Sequence, residues 1–517
     1  MSTLHKIIIL THRYVGIPIS ILCIIWFFSA FVIIYTGGMP GVSENMRIDA
    51  AEALDFERIR LDPVDAARQE GSNQTPILRT FLGRPAYFFA GRGLPTNVVF
   101  ADNGETLDEI STQQARQIAS EFLDIPAELF SDVEIVEAID QWTVGKNLRM
   151  PLYKFYIQDD PGTQVYVSPS TFDLAVYTTT QSRVLAWLGA IPHWFYLTSL
   201  RSNPPLWFDV VVWTSAIGCI LTILGLILAF TRFRKNVRPF SLQRAIPFVG
   251  MMRWHYILGA VFGISTLTWI FSGLLSMDPF EWGTVRNEIN IDETVYNTRP
   301  MELGAFSSIR QLSRMAPAEG EIKEVSFSMI QEQAYYQITS STVIAPLSNK
   351  RERLSQPYFA DSQSSADSVL VHADSLQEKT GFDTATLIER LENFTPNADI
   401  YESALLNDYD DYYYSRNNQL PLPVLRVKFD DPLDSWVYIN PQRSELLSLL
   451  DRTNRLNRWL YNGLHSLDFA FWYHKRPLWD LGLIILLAGG LVLSILGFYL
   501  GCRRLKQDLS SLFFKTG

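Results

Sequence analysis

The sequence predicts an integral membrane protein: a four-span α-helical bundle with two α+β domains on one side, built as a tandem parallel repeat. Three observations predict it. Apolar residues gather in four blocks of bilayer length, the chain ends and one short loop carry twelve cations against a single acid, and residues of the first half recur in the second at fixed offsets.

The chain has 517 residues, of which 47% are hydrophobic, 13% aromatic and only 19% charged, against a usual charged fraction of roughly 25%. High apolar and aromatic content excludes intrinsic disorder, and no collagen or heptad period is present. The apolar blocks are Tyr14–Tyr35, Trp207–Phe230, His255–Met277 and Trp479–Leu500. Each is close to the ~20 residues that cross a bilayer as a helix. Within them the only ionised side chains are Asp209 and Asp480, near the starts of their blocks. The first block is too long for a signal peptide and lacks an Ala-x-Ala cleavage signal, so it reads as a retained helix.

Charge sets the direction. Lys6, Arg13, Arg232, Arg234, Lys235, Arg238, Arg244, Arg253, Arg503, Arg504, Lys506 and Lys515 lie at the ends and in the loop between the second and third blocks, where Asp508 is the one acid. Residues 36–206 carry 22 acids and 13 bases, and residues 277–478 carry 29 acids and 19 bases. The positive-inside rule places both termini and the loop in the cytoplasm and exports both long segments. The expected order is helix 1 with the N-terminus (1–35), exported domain (36–206), helix 2 (207–230), cytoplasmic loop (231–253), helix 3 (254–277), exported domain (278–478), helix 4 (479–500) and cytoplasmic tail (501–517). The net charge of −10 sits on the exported segments and argues against nucleic acid as a partner.

The internal repeat is the strongest signal. His12-x3-Gly16 with Trp26-x-Phe28-Ser29-Ala30 recurs as His255-x3-Gly259 with Trp269-x-Phe271-Ser272-Gly273, at an offset of 243. Further on, Pro151, Val165, Tyr166, Pro169, Arg183, Trp187, Leu188, His193 and Pro205-Leu206-Trp207 recur as Pro423, Val437, Tyr438, Pro441, Arg455, Trp459, Leu460, His465 and Pro477-Leu478-Trp479, at an offset of 272. The second half is thus longer by 29 residues, and the polar stretch Ser340–Ser368 reads as the insertion. Both units enter the membrane in the same direction, so equivalent residues lie at equal depth and are free to face each other. The exported parts read as α+β, with helices over Arg116–Leu123 and Ala385–Leu391, and strands over Tyr153–Ile157, Gln164–Val167, Val424–Phe429 and Ser435–Ile439. Asp408–Tyr414 reads as a Tyr-rich strand with an acidic turn, and Gln141-Trp142 is its counterpart.

Four of the seven histidines form two repeat-related pairs. His12 and His255 fall at the cytoplasmic ends of spans one and three, and His193 and His465 precede spans two and four on the other side. Ionisable groups at membrane depth are functional candidates, and neutral imidazole is the commonest side-chain metal ligand. Interfacial histidines can also simply anchor helix ends; recurrence in a diverged duplication favours the ligand reading. Two histidines per level with no acidic cluster in the spans suggest bis-imidazole b-type haem, two per chain. Gly16 and Gly259, one turn after their histidines, would clear space for the macrocycle, although small residues also serve helix packing. Arg13, Arg253, Arg183 and Arg455 are candidate propionate partners, with snorkelling as the plainer role of Arg13 and Arg253. His474 has Ser202 as its counterpart and reads as a surface histidine; His5 and His372 belong to solvent or the interface.

Cys23, Cys219 and Cys502 lie in or beside the spans, so the exported segments hold no disulfide. No Cys-x-x-Cys exists, which argues against zinc fingers, iron–sulfur clusters and covalently attached haem. Gly91-Arg92-Gly93 lacks the third glycine and helix pattern of a dinucleotide fingerprint. No flavin or nicotinamide site is therefore expected.

On His12-x3-Gly16 and His255-x3-Gly259, on Val437-Tyr438-Ile439-Asn440-Pro441, and on the run Arg458-Trp459-Leu460-Tyr461-Asn462-Gly463-Leu464-His465-Ser466-Leu467-Asp468-Phe469 ending in Arg476-Pro477-Leu478-Trp479, the chain resembles the PepSY-associated transmembrane family over almost its whole length. Some members of that family are similar to inner-membrane ferric-siderophore reductases with two b haems. The resemblance implies two PepSY-like periplasmic domains, haem held by His12, His255, His193 and His465, and reduction of periplasmic ferric chelates to release Fe(II), with a cytoplasmic reductase or quinol as donor. The first unit departs from the pattern: it reads Ile191-Pro192-His193-Trp194-Phe195, and Ser168-Pro169-Ser170-Thr171 lacks the usual following glycine. Two other readings stand beside it: a non-enzymatic membrane protein that binds or regulates a periplasmic partner, and a permease, against which the scarcity of charge in the spans counts.

Overall fold

The computed structural model describes residues 3–89, 96–234, 242–281, 301–315, 321–343, 364–395, 397–415 and 420–513, together with 284, 286, 289 and 291. Gly91-Arg92-Gly93, most of the polar stretch after Val343, and Lys235, Arg238 and Lys515 of the topology argument lie outside these residues. The chain forms two units. A helical unit takes Met1–Gly38, Leu185–Thr284 and Thr453–Gly517, and a sheet-bearing unit takes Met39–Val184 and Val285–Arg452.

Four helices of the helical unit are long and apolar enough to cross a membrane: span 1 (Thr3–Thr36), span 2 (Pro204–Arg232), span 3 (Gly250–Leu275) and span 4 (Leu478–Ser511). Spans 1, 2 and 4 extend past their apolar blocks at both ends, whereas span 3 starts before its block and ends at Leu275, short of Met277. Span 2 begins at a proper stop: Asn203 accepts from the Leu206 amide, and two prolines fill the first turn where amides lack partners anyway. Only 22–28% of the most apolar window of each span is buried. Residues such as Trp213, Val261, Ile264 and Phe230 face outwards, an extent of exposed apolar surface that water does not tolerate and lipid does.

Span 1 packs on spans 4 and 2, and span 3 packs on spans 2 and 4. Exchanging the two halves leaves this ring unchanged, as a parallel repeat requires. Its core joins Ile19, Cys23, Phe27 and Ala30 to Cys219, Leu221, Trp269, Ile270, Trp479, Leu483 and Leu487. Small residues set the approach: a Cβ on Gly490 would meet the Phe27 ring, and one on Gly263 would meet Leu226.

In the sheet-bearing unit the two long segments, far apart in sequence, share one eight-stranded sheet. The first contributes β1 (Ile77–Phe81), β2 (Arg84–Phe89), β3 (Asn97–Phe100) and β4 (Thr106–Leu107). The second contributes β9 (Glu321–Ile330), β10 (Gln333–Val343), β11 (Ser364–His372) and β12 (Glu378–Lys379). The order is β12-β11-β10-β9-β1-β2-β3-β4. β1 and β9 meet antiparallel at the centre, with Leu78 opposite Val325. The sequence divides these segments into two domains; the structure joins them into one compact body through that pairing.

Alternation along the strands gives the sheet two buried faces. Leu78, Tyr87, Phe89, Val99, Val325, Phe327, Tyr336, Ile338 and Val371 share one core with Phe56, Ile59, Phe306 and Ile309. On the other face each half has its own core. Phe81, Phe88 and Phe100 pack on helix Thr112–Leu123, and Ile330, Tyr335 and Leu370 pack near helix Thr384–Phe394. Both helices start at equivalent caps: Ser111 accepts from Gln114 N in a capping box, and Asp383 accepts from Thr386 N. β2 and β10 are related by an offset of 249, between the two offsets seen in the sequence. Six of the 29 extra residues therefore precede β9, and 23 fall between β10 and β11. The insertion lengthens one hairpin, which leaves the sheet register intact.

Each half adds a four-stranded antiparallel sheet: β5 (Glu134–Val136), β6 (Leu152–Tyr156), β7 (Gln164–Ser168) and β8 (Asp173–Thr178), and β13 (Asp399–Leu406), β14 (Val424–Asp430), β15 (Trp436–Asn440) and β16 (Glu445–Leu450). Asp408–Tyr414 is not a strand. β13 ends at Leu406 because Asp410 Oδ1 accepts from the Tyr412 and Tyr413 amides and so closes a turn. Tyr438 Oη and Arg426 Nη1 donate to its other oxygen at 2.9 and 2.8 Å. The first half repeats the device: Asp140 Oδ1 accepts from Trp142 N and Thr143 N, and Tyr166 Oη donates to Oδ2 at 2.6 Å. Burial pushes both phenols up, and the neighbouring carboxylate pushes them further.

Candidate functional site

The two histidine pairs named from the sequence each come together in the helical unit. The ring centroids of His12 and His255 are 6.4 Å apart, and those of His193 and His465 are 6.1 Å apart. Each pair takes one member from each repeat. Two imidazoles bound on opposite sides of one metal, with metal–nitrogen bonds of about 2.0–2.1 Å, have centroids about 6.3 Å apart.

Spans 1 and 3 carry the first pair. His12 Nδ1 lies 3.2 Å from the Leu221 carbonyl oxygen of span 2. A carbonyl only accepts, so the imidazole donates there. The Leu493 carbonyl of span 4, the repeat counterpart of Leu221, interacts with His255, but His255 Nδ1 has no hydrogen bond in that position. Glycines make the approach possible. A Cβ on Gly225 would stand 2.8 Å from His12 Cε1, and one on Gly497 would stand 3.2 Å from His255 Cε1. These glycines are repeat equivalents. Gly16 and Gly259 instead face Leu221 and Leu493 at ordinary contact distance.

The second pair stands on short turns before spans 2 and 4. His193 lies in helix Ala190–Trp194, which Phe195 ends in the left-handed conformation at φ 54°. His465 lies in the short helix Leu464–Ser466, which follows a π-helical turn, Arg458–Gly463, and which the equivalent Leu467 ends at φ 50°. Left-handed backbone at a bulky residue costs of order 1–3 kcal/mol and persists only where the surroundings impose it. An indole ties down this turn in both repeats, at carbonyls one residue apart in register: Trp207 Nε1 donates to the Trp194 carbonyl at 2.8 Å, and Trp479 Nε1 to the Leu467 carbonyl at 3.1 Å. The imidazoles are held from the spans. His193 Nδ1 is 3.0 Å from Ser29 Oγ, and His465 Nδ1 is 3.0 Å from Ser272 Oγ.

Ser29 lies seventeen residues beyond His12, and Ser272 seventeen beyond His255, so the two levels are about 25 Å apart along the helices. Between them stand Trp26, Trp269 and Phe27, with Phe27 and Trp269 edge to face at 5.7 Å. Cys23 and Cys219 are buried in the same layer.

The candidate arginines separate. Arg183 belongs to the sheet-bearing unit and is committed there, donating to Thr178 Oγ1, the Gly162 carbonyl and Thr180 Oγ1. Its role is to tie a helix start to a turn. Arg13 lies over the Tyr14 ring, and Arg253 stands two residues before His255 at the start of span 3. Arg455 is buried on the helix leading to the His465 turn, where Arg458 pairs with Asp468 at 3.7 Å. His474 occupies the C-cap of helix Ala470–Tyr473, and its counterpart Ser202 caps the equivalent helix. His372 Nδ1 accepts from the Asp374 and Ser375 amides in a turn.

Ser29, Ser272, Trp207 and Trp479 recur in the sequence, yet nothing in their type marks the serines as histidine partners or the indoles as donors to the turns beside the histidines. Gly225 and Gly497 also stand at the 272 offset, and only their contact with an imidazole gives them a role. Among the described residues no group of three or more His, Cys, Asp or Glu side chains gathers to hold a bare metal ion. A centre that brings its own equatorial ligands needs only the two imidazoles each level provides. No protein-family model matches the chain, and a search of curated proteins finds no match.

Proposed function

We propose that the chain is a multi-pass protein of a bacterial inner membrane that moves electrons through two b-type haems to periplasmic ferric chelates of the siderophore class, releasing Fe(II). The observation that carries this reading is the meeting of repeat-equivalent imidazoles at two levels, both at the spacing of a shared metal. The cation-rich ends and loop support cytoplasmic termini, with the sheet-bearing unit, each half PepSY-like, in the periplasm. The family resemblance supports the ferric chelate.

His12 and His255 would hold one haem, and His193 and His465 the other. Haem b would supply one-electron chemistry when bound. The chain's own residues do the rest. Ser29, Ser272 and the Leu221 carbonyl orient the imidazoles. Trp26, Phe27 and Trp269 keep water out of the layer between the levels. The sequence has no flavin or nicotinamide fingerprint, so the electron comes from a quinol or a separate reductase. Each electron delivered converts one Fe(III) to Fe(II), and hard oxygen chelators hold Fe(II) less tightly.

The test uses the purified full chain, haem-loaded and reduced with a quinol analogue, mixed with a ferric hydroxamate and an Fe(II)-trapping dye. The expected result is coloured Fe(II) complex formed as the haem reoxidises, and loss of this reaction in His465→Ala. A reduced haem protein that yields no Fe(II) from any ferric chelate contradicts the reductase reading and leaves a binding or regulatory role.

A further inference from the structure

We propose that Ser29 and Ser272 are positioning residues that hold His193 and His465 with the ring proton on Nδ1, leaving the lone pair on Nε2. The inference rests on reading these histidines as metal ligands, and it adds the groups that make them competent.

A serine hydroxyl has one proton to give. Ser29 Oγ donates it to the Trp26 carbonyl at 3.1 Å, and Ser272 Oγ donates to the Trp269 carbonyl at 3.0 Å. Both serines are wholly buried, so no water replaces either partner. At the 3.0 Å contacts with His193 and His465 each hydroxyl is therefore the acceptor and each imidazole the donor. A neutral imidazole that donates from Nδ1 has no proton on Nε2. Free histidine favours the opposite form, with the proton on Nε2, which cannot bind a metal through that nitrogen. The whole arrangement occurs twice, in diverged sequence, at positions related by the repeat.

A backbone carbonyl is in reach at both levels, Leu221 for His12 and Trp26 and Trp269 for His193 and His465, but only His193 and His465 also meet a serine hydroxyl. Hydrogen bonds from the outer nitrogen of a ligating histidine fix its ring and raise its basicity, and more basic ligands lower the reduction potential of the iron they hold. Removing a serine raises the potential of the His193/His465 centre and leaves the His12/His255 centre alone.

The tautomer is read directly from nitrogen-15 NMR of the haem-free full chain in nanodiscs at neutral pH, with signals assigned by His193→Gln and His465→Gln. The expected spectrum has the proton on Nδ1 for both histidines. Ser29→Ala moves His193 alone towards the Nε2–H form, Ser272→Ala moves His465 alone, and Ser29→Thr and Ser272→Thr keep the wild-type signature. A proton on Nε2 in the wild type, or alanine variants with unchanged signals, overturns the proposal. Redox titration of the haem-loaded protein supplies the second readout: one midpoint rises in the alanine variants and is restored by threonine. Equal shifts of both midpoints mean general loosening of the bundle and overturn the positioning role. Wild-type protein that takes up no haem defeats the proposed function, while the NMR signature still decides the tautomer.

Discussion

At the residue scale, the histidine levels are built as much by what is missing as by what is present. A Cβ on Gly225 would come within 2.8 Å of the His12 ring, whereas one on Gly16 would sit 3.9 Å from Leu221. Real Cβ contacts avoid the first distance and accept the second, because repulsion rises steeply inside van der Waals contact. Gly225→Ala is therefore expected to displace the His12 imidazole and reduce haem to about half per chain on the proposed function, whereas Gly16→Ala leaves it near full. Haem extracted and quantified against protein checks both. Gly16 owes its prominence in the sequence to its spacing from His12. The glycine that matters more for the ring is brought from another span by packing, and its sole trace in the sequence is that Gly225 and Gly497 share the 272 offset. The histidines themselves are legible because ionisable side chains are rare at membrane depth.

At the element scale, the same short device closes the strand-to-turn corner in both halves of the sheet-bearing unit. Asp410 accepts two amides, the Tyr438 hydroxyl and the Arg426 guanidinium. Asp410→Ala leaves a buried phenol and a largely buried guanidinium short of a partner. Hydrogen bonds to charged groups are worth about 1.5–3 kcal/mol, so the variant is expected to lose about 2–3 kcal/mol while the histidine pairs stay intact. Denaturant unfolding, followed together with haem content, separates the two effects. Much of this level is readable beforehand. Alternating patterns predict β6, β7, β14 and β15 to within a residue or two, since alternation and turn residues are local properties. The Asp408–Tyr414 stretch misleads because tyrosines favour strands on average, and one aspartate turning its carboxylate back on two amides overrides that preference.

At the scale of the whole molecule, a duplication is closed into a symmetric object twice: once by spans that pack across the repeat, once by β1 meeting β9. The four spans are legible from composition alone. The shared sheet is not, because strand pairing between residues about 250 apart leaves no local pattern; Leu78 opposite Val325 is a fact of tertiary structure. Its core is common to both halves, so Phe327→Ala, at a residue packed against Tyr87, Phe306 and Tyr336, is expected to cost about 3–5 kcal/mol. The sheet-bearing unit should still melt in one transition; two separate transitions would mean the halves fold apart. The central claim concerns the two levels of facing imidazoles, and the visible spectrum of the purified chain, air-oxidised and then dithionite-reduced, tests it most directly. The account predicts two low-spin b haems per chain, one lost in His12→Ala and the other in His465→Ala. Protein that stays colourless after expression with ample haem, or haem that survives both substitutions, would contradict it.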